Sequence, residues 1–172
     1  MTASAPPPAR RTDLAGGHHQ AGAASWLLLI VDGIEYGLSL EHVREIRRAG
    51  AVTPVPAVPS FVDGVMNLRG RIVPVVDLRA RFGLPRVAHD RFTVVVVIES
   101  SGRTCGLVAD AVRDVVEVPP EHIGPPPAAV PGEGAAFVQG LAERDETLTI
   151  LLDAEALMVE TEPNTGASAP RD

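Results

Sequence analysis

Residues 26–46 read WLLLIVDGIEYGLSLEHVREI, and residues 95–115 read VVVIESSGRTCGLVADAVRDV. The two stretches superimpose without a gap at an offset of 69, pairing Gly33 with Gly102, Gly37 with Gly106, Leu38 with Leu107, Val43 with Val112, Arg44 with Arg113 and Glu45 with Asp114. Further along, at an offset of 76, Phe61-Val62-Asp63-Gly64 falls on Phe137-Val138-Gln139-Gly140 and Val75-Val76-Asp77 on Leu151-Leu152-Asp153. The chain is therefore a tandem duplication, with the 7 extra residues of the second copy placed in the proline-rich run Pro125 to Gly134. Residues shared by two such copies maintain the fold, and residues that differ are free to carry function. The strongest difference is Asn67-Leu68-Arg69-Gly70, found only in the first copy.

The periodicity within each copy is that of strands. Leu27 to Val31 and Val94 to Ile98 are short apolar runs, each followed by a turn at Gly33 or Ser101-Gly102 and a second apolar segment from Tyr36 or Cys105, which is a hairpin twice over. Leu40 to Arg44 and Ala109 to Arg113 are each expected to form a helical turn, leading to strands near Arg44 to Arg48 and Val115 to Val118. Prolines at 54, 56 and 59, and at 119, 120 and 125 to 127, exclude a central strand there because each lacks a ladder donor. A second hairpin follows in each copy, Gly64 to Leu68 with Arg71 to Val76 around Arg69-Gly70, and Gly140 to Glu143 with Thr147 to Leu152 around Arg144-Asp145. Asp77 and Asp153 then stand as N-caps for short helices over Leu78 to Phe82 and Ala154 to Met158.

About five short strands per copy point to two small antiparallel barrels. Copies of about 70 residues are marginal alone, so they are expected to pack side by side as one body. The expected domain covers residues 24–160, the first barrel mainly 34–92 and the second mainly 95–150, with terminal segments crossing between them. Residues 1–23 and 161–172, small and polar with a proline-rich start, read as disordered tails.

Composition narrows the function. Net charge is −7, and all 15 basic residues are arginine without concentration on one segment, so no nucleic-acid partner is expected. The single Cys105 fits a reducing cytoplasm, and Leu27 to Val31 is too short for a membrane span. No catalytic or cofactor pattern emerges. His42 and Glu45 lie three apart without a second ligand at zinc spacing, His18-His19 lies in the tail, and Gly132-Glu133-Gly134 follows a proline where a dinucleotide fingerprint needs a strand. No metal, cofactor or enzymatic activity is expected.

The first-copy segment from Gly64 to Arg79, reading GVMNLRGRIVPVVDLR, closely resembles the signature of the CheW family of chemotaxis coupling proteins. Tyr36-Gly37, Val43 to Arg47, and Gly106-Leu107-Val108 with Asp110 and Val112 extend the resemblance over about Trp26 to Met158. It implies an all-β fold of two five-stranded SH3-like barrels with short helices, and an adaptor joining the cytoplasmic signalling tip of chemoreceptors to the regulatory domain of the histidine kinase CheA, with self-association in rings beneath the membrane. Carried over residue by residue, Val43 and Glu45 match the strand facing the receptor, Asn67 and Arg69 the turn motif, and Gly64 the entrance to that hairpin, with Val94 a further candidate for an apolar groove. The loop Gly124 to Ala129 departs from the family pattern, offering neither a basic nor a bulky apolar residue. Alternatives are a scaffold of a pilus or other chemosensory pathway, and a ligand-binding small barrel.

Overall fold

The computed structural model describes residues 22–127 and 133–159; the expected tails fall almost wholly outside them, as do parts of the proline-rich loop. Among the described residues eleven strands run in order: β1 (Ala24–Val31), β2 (Ile34–Ser39), β3 (Val43–Arg48), β4 (Val62–Leu68), β5 (Arg71–Asp77), β6 (Val94–Ser100), β7 (Arg103–Ala109), β8 (Ala111–Val118), β9 (Ile123–Gly124), β10 (Val138–Arg144) and β11 (Thr147–Leu152). Helix α1 (Leu78–Arg81) follows β5 and α2 (Ala154–Val159) follows β11.

Four hairpins set the local geometry. At Asp32-Gly33, Arg69-Gly70, Ser101-Gly102 and Asp145-Glu146 both central residues have positive φ, the backbone of a two-residue turn whose twist matches that of the flanking strands. Both expected N-caps form. The Asp77 carboxylate accepts from the N–H groups of Arg79 (2.8 Å) and Ala80 (3.3 Å), and Asp153 accepts from Ala156 (3.1 Å).

The strands form two sheets, ordered β8-β1-β2-β11-β10-β9 and β3-β6-β7-β5-β4. Each copy thus lends its first hairpin to the other copy's sheet. This corrects the expected boundaries: residues 34–39 belong with the second copy's strands, and residues 94–109 with the first copy's. The chain changes sheets at two points. After β2 it makes a turn in which Val43 N–H bonds the Leu40 carbonyl (3.2 Å), and between β7 and β8 only Asp110 intervenes, its N–H on the Ile30 carbonyl (3.0 Å). The helical turn expected over Ala109 to Arg113 is therefore absent. Strand pairing on the partner sheet claims those residues first.

Register repeats between the copies. Leu151 faces Gly37 in a parallel pair, and Val75 faces Gly106 in the equivalent parallel pair, the one non-antiparallel contact of each sheet. Both shared glycines leave room for side chains of the barrel interior. A Cβ on Gly37 would lie 2.7 Å from a Leu151 methyl, and one on Gly106 would lie 2.8 Å from a Val95 methyl. Bulges recur too, at Arg44 and Arg113 and at Asp63 and Gln139.

Each sheet closes on itself through the chain that follows one of its edge strands, β3 or β8. In one, that chain reaches Thr53, which bridges Val65 on β4 by paired bonds of 2.8 and 2.9 Å; in the other it reaches β9, which pairs with β10. These closures make each sheet a small barrel. One barrel holds Trp26, Ala142, Leu151 and Val118, and the other Val75, Val95 and Val108 with Met66 packed against them. Trp26 and Ala142 occupy the places of Val95 and Met66 in the other copy, so a large residue is offset by a small one and total volume is kept. The main core lies between the barrels, drawing Leu27, Leu29, Leu38, Val76, Leu78, Val96, Ile98, Leu107, Leu152 and Leu157 from both sheets and both helices.

An ionic link crosses the same seam. Arg79 of α1 forks onto the Asp110 carboxylate (2.9 and 2.7 Å) and lies 3.3 Å from Asp32, while Asp110 also accepts from the Asp32 backbone N–H (2.8 Å). Burial raises the Asp110 pKa, but the Arg79 hydrogen bonds, the Asp32 N–H and the Arg79 charge outweigh it and hold the carboxyl below its ordinary value. A depressed carboxyl stabilises the fold above its unfolded pKa, and that contribution is lost as pH falls through the folded value. Asp110→Asn is expected to lower the thermal midpoint at pH 7, and the gap to wild type should narrow as pH falls from about 5 towards about 2. Melting curves at several pH values check this, and a gap independent of pH refutes the linkage.

Candidate functional site

Barrel closure decides which residues meet. β3 and β4 are the two edges of the five-stranded sheet, and bending it into a ring brings Glu45 of β3 to the β4–β5 turn. There a Glu45 carboxylate oxygen lies 3.0 Å from a guanidinium nitrogen of Arg69, and the other is 3.5 Å from Arg47. The Asn67 side-chain oxygen accepts from the Gly70 N–H (2.9 Å), fastening the turn that carries Arg69. Three of the expected residues, Glu45, Asn67 and Arg69, therefore form one corner.

Arg69 stands out within it. Its side chain is 80 % exposed, so the pair with Glu45 is a surface ion pair contributing about 0–1 kcal/mol. Its backbone lies in the left-handed region (φ 52°), where asparagine and glycine are favoured and other residues cost roughly 1–2 kcal/mol. Local stability does not call for an arginine there. In the second copy the equivalent places hold Asp114 and Asp145, two carboxylates that cannot pair, so the corner is a feature of one barrel only.

The remaining candidates have other settings. Gly64 is buried at the closing crossing with φ 143°, where an added Cβ would collide with the Thr53 carbonyl oxygen, so the fold itself requires glycine. Val43 and Val94 are half-buried and pack on the core between the barrels. They sit at opposite ends of the β3–β6 ladder, Val43 opposite Ile98 and Val94 opposite Arg48. Ile98, opposite Val43, stands four positions from Val94 on β6, about 13 Å along the strand, so Val43 and Val94 do not line one spot.

Sequence reasoning passed over a second feature. Ile46 and Ile72 are 44 % and 66 % exposed, and their equivalents Val115 and Leu148 are 49 % and 60 % exposed. A β-branched or leucine side chain thus faces solvent at the same two positions of each barrel. The offsets of 69 and 76 contain that signal, and Ile72 and Leu148 each precede a buried residue, Val73 and Thr149.

Ligand-type clusters are already engaged. Asp63, Asp77 and His89 bring ligand atoms within 4.8 Å of one another, but the Arg86 guanidinium pairs with both carboxylates and also donates to the Ser60 carbonyl. The His42 ring lies 3.2 Å from the Glu99 carbonyl, apart from the Glu45 pair. No helix among the described residues is long and apolar enough to cross a membrane, which says nothing of strands.

The family model of the CheW-like domain matches residues 25–162. The chain is 38 % identical over 133 residues to the chemotaxis protein CheW of Klebsiella aerogenes, covering 77 % of this chain and 80 % of that protein. It is 37 % identical over 106 residues to protein FrzA of Myxococcus xanthus, covering 62 % and 65 %. Among solved structures it is similar to the crystal structure of the scaffolding protein TtCheW from Thermoanaerobacter tengcongensis, with a TM-score of 0.72 at 31 % identity, covering 76 % of this chain and 89 % of that one.

Proposed function

Because the chain belongs to the family of CheW-like domains, we propose that it is a chemotaxis scaffold coupling the cytoplasmic tips of chemoreceptors to the histidine kinase CheA, without catalysing a reaction itself. The observation that carries the residue assignment is Arg69, an exposed guanidinium held in a backbone region that disfavours it, on a turn fastened by Asn67. Backbone strain at a position the fold does not need is a pointer to function. An arginine fork whose partner is only a surface carboxylate can exchange it for an acidic or carbonyl group on another protein.

The equivalent exposed pairs, Ile46 with Ile72 and Val115 with Leu148, support two-ended contact. A connector needs a docking surface on each barrel, and duplication supplies both at once. Interfaces of this kind hold by apolar contact with a polar rim, each modest alone and strengthened in an array by effective concentration. Localisation follows as cytoplasmic, with recruitment to receptor arrays at the membrane.

Arg69→Asn separates this role from folding. Asparagine suits the left-handed turn, so the thermal midpoint is expected to hold or rise, while capture of receptor or kinase from host extract weakens about tenfold or more, the loss of one charge-assisted contact. Unchanged capture by Arg69→Asn would remove Arg69 from the interface. Failure of the wild type to capture either partner would remove the adaptor reading altogether, and the receptors recovered would tell flagellar from other outputs.

A further inference from the structure

A groove of about 510 Å³ runs beside the β10–β11 turn of the second barrel, away from the Arg69 corner. Four carboxylates, from Glu121, Glu143, Asp145 and Glu146, line it, with Ile123 and Leu148 supplying apolar surface. His122 is the one lining side chain able to carry positive charge. The neighbouring Arg144 lies 3.7 Å from Glu35, which already bonds Thr149 (2.5 Å) and Arg113 (3.2 Å). An acidic groove with an apolar wall fits a short basic segment whose flanking residues are apolar and extended.

The chain carries such a segment, and the structure shows where it departs. Pro6-Pro7-Pro8-Ala9-Arg10-Arg11 holds two adjacent arginines after three prolines, in a molecule of net charge −7. Described residues begin at Gly22, where an added Cβ would lie 3.8 Å from a ring carbon of Pro120, the residue before Glu121. From there β1 runs antiparallel to β8, Ala24 opposite Val118. The chain therefore leaves the domain at the edge of the groove. Ten residues lie between Arg11 and Gly22, and the eleven steps from one to the other can span up to roughly 35–40 Å.

We propose that the Pro6–Arg11 segment docks in the acidic groove of its own chain, Arg10 and Arg11 against the carboxylates of Glu121, Glu143, Asp145 and Glu146 and the prolines against Ile123 and Leu148. Tethering gives an effective concentration of roughly millimolar, enough to populate a contact too weak to form between separate molecules. Proline-rich chain is already extended, so ordering it costs little entropy. The docked segment shields Leu148, one of the exposed apolar pair on this barrel, and competes with any basic partner for the same carboxylates. This reading does not depend on the identity of the partners above.

The test is NMR of the full chain at low salt, comparing wild type with Arg10→Glu/Arg11→Glu and with Glu143→Gln/Glu146→Gln. Glu143 and Glu146 are both exposed. The first variant is expected to shift the amide resonances of Ile123, Glu146 and Leu148, and the second to shift those of Ala9, Arg10 and Arg11. Both differences should be the same at every protein concentration and collapse at about 0.5 M salt, where the screening length is only a few ångströms. Superimposable groove resonances in wild type and Arg10→Glu/Arg11→Glu overturn the proposal. A difference that grows with protein concentration also overturns it, by assigning the groove to a second copy.

Discussion

Gly64→Ala is expected to lower stability by about 3–5 kcal/mol, among the largest effects of any single methyl in the chain. Two causes act together. At φ 143° the backbone lies where L side chains are rarely found, and the new Cβ would collide with the Thr53 carbonyl oxygen while standing 2.7 Å from its carbon and 2.9 Å from the Pro54 Cα. These neighbours are backbone, fixed by the paired bonds between Thr53 and Val65 that close the barrel, so relief means opening the ring. Gly106→Ala provides the contrast. Its Cβ would meet a Val95 methyl at 2.8 Å, a side chain able to move, and overpacking of that sort costs typically about 1–3 kcal/mol. Denaturant titration of both variants decides the matter. At this chain length the Gly64 loss corresponds to a thermal midpoint lower by roughly 10 °C, and equal losses for the two would refute the backbone argument.

Arg81→Ala is expected to cost about 2–4 kcal/mol, although arginine is ordinarily a surface residue. Arg81 is buried at the seam, its guanidinium carbon 4.1 Å from the Phe61 ring centre and 4.0 Å from that of Phe137. Phe61 and Phe137 occupy equivalent places in the two copies, so one cation is held between a duplicated pair of aromatics. Each cation–π contact in a desolvated setting contributes up to about 2 kcal/mol, and truncation also leaves a cavity between the barrels. Phe82 extends the stack from Phe137 (6.3 Å between centres) to Tyr36 (5.0 Å). The place equivalent to Arg81 in the second copy is Leu157, fully buried, so an apolar residue is compatible with such a site. Arg81→Met should therefore retain more than half of the stability that Arg81→Ala loses. If alanine and methionine destabilise equally in chemical denaturation, packing at the seam is not what Arg81 supplies.

Local chemistry made much of the fold legible. Hairpins, their turns at Gly33, Gly70 and Gly102, the N-caps at Asp77 and Asp153, and the duplication itself all follow from residues within a few positions of one another. The copy-specific Asn67 and Arg69 were visible as a departure from symmetry, and the structure joins them at one turn. Val94 illustrates the limit. Its apolar type and strand position were evident, yet whether it shares a surface with Val43 depends on the ladder between β3 and β6, strands about fifty residues apart in the chain.

What the sequence by itself determined was the set of parts: two copies, four hairpins, two capped helical turns and a divergent arginine turn, because side-chain alternation, turn propensity and capping act over short range. What only the tertiary structure decided was their assembly. Two hairpins of the same apolar and turn pattern can pair with either copy, and the choice rests on long-range strand contacts that no local pattern specifies. Here a tight turn after Ser39 and a single residue at Asp110 carry the chain across the seam, exchanging the hairpins. Closure of the ring then sets Glu45 against Arg69 and Gly64 against Thr53, contacts between residues far apart in the chain that exist only because a curled sheet brings its two edges together.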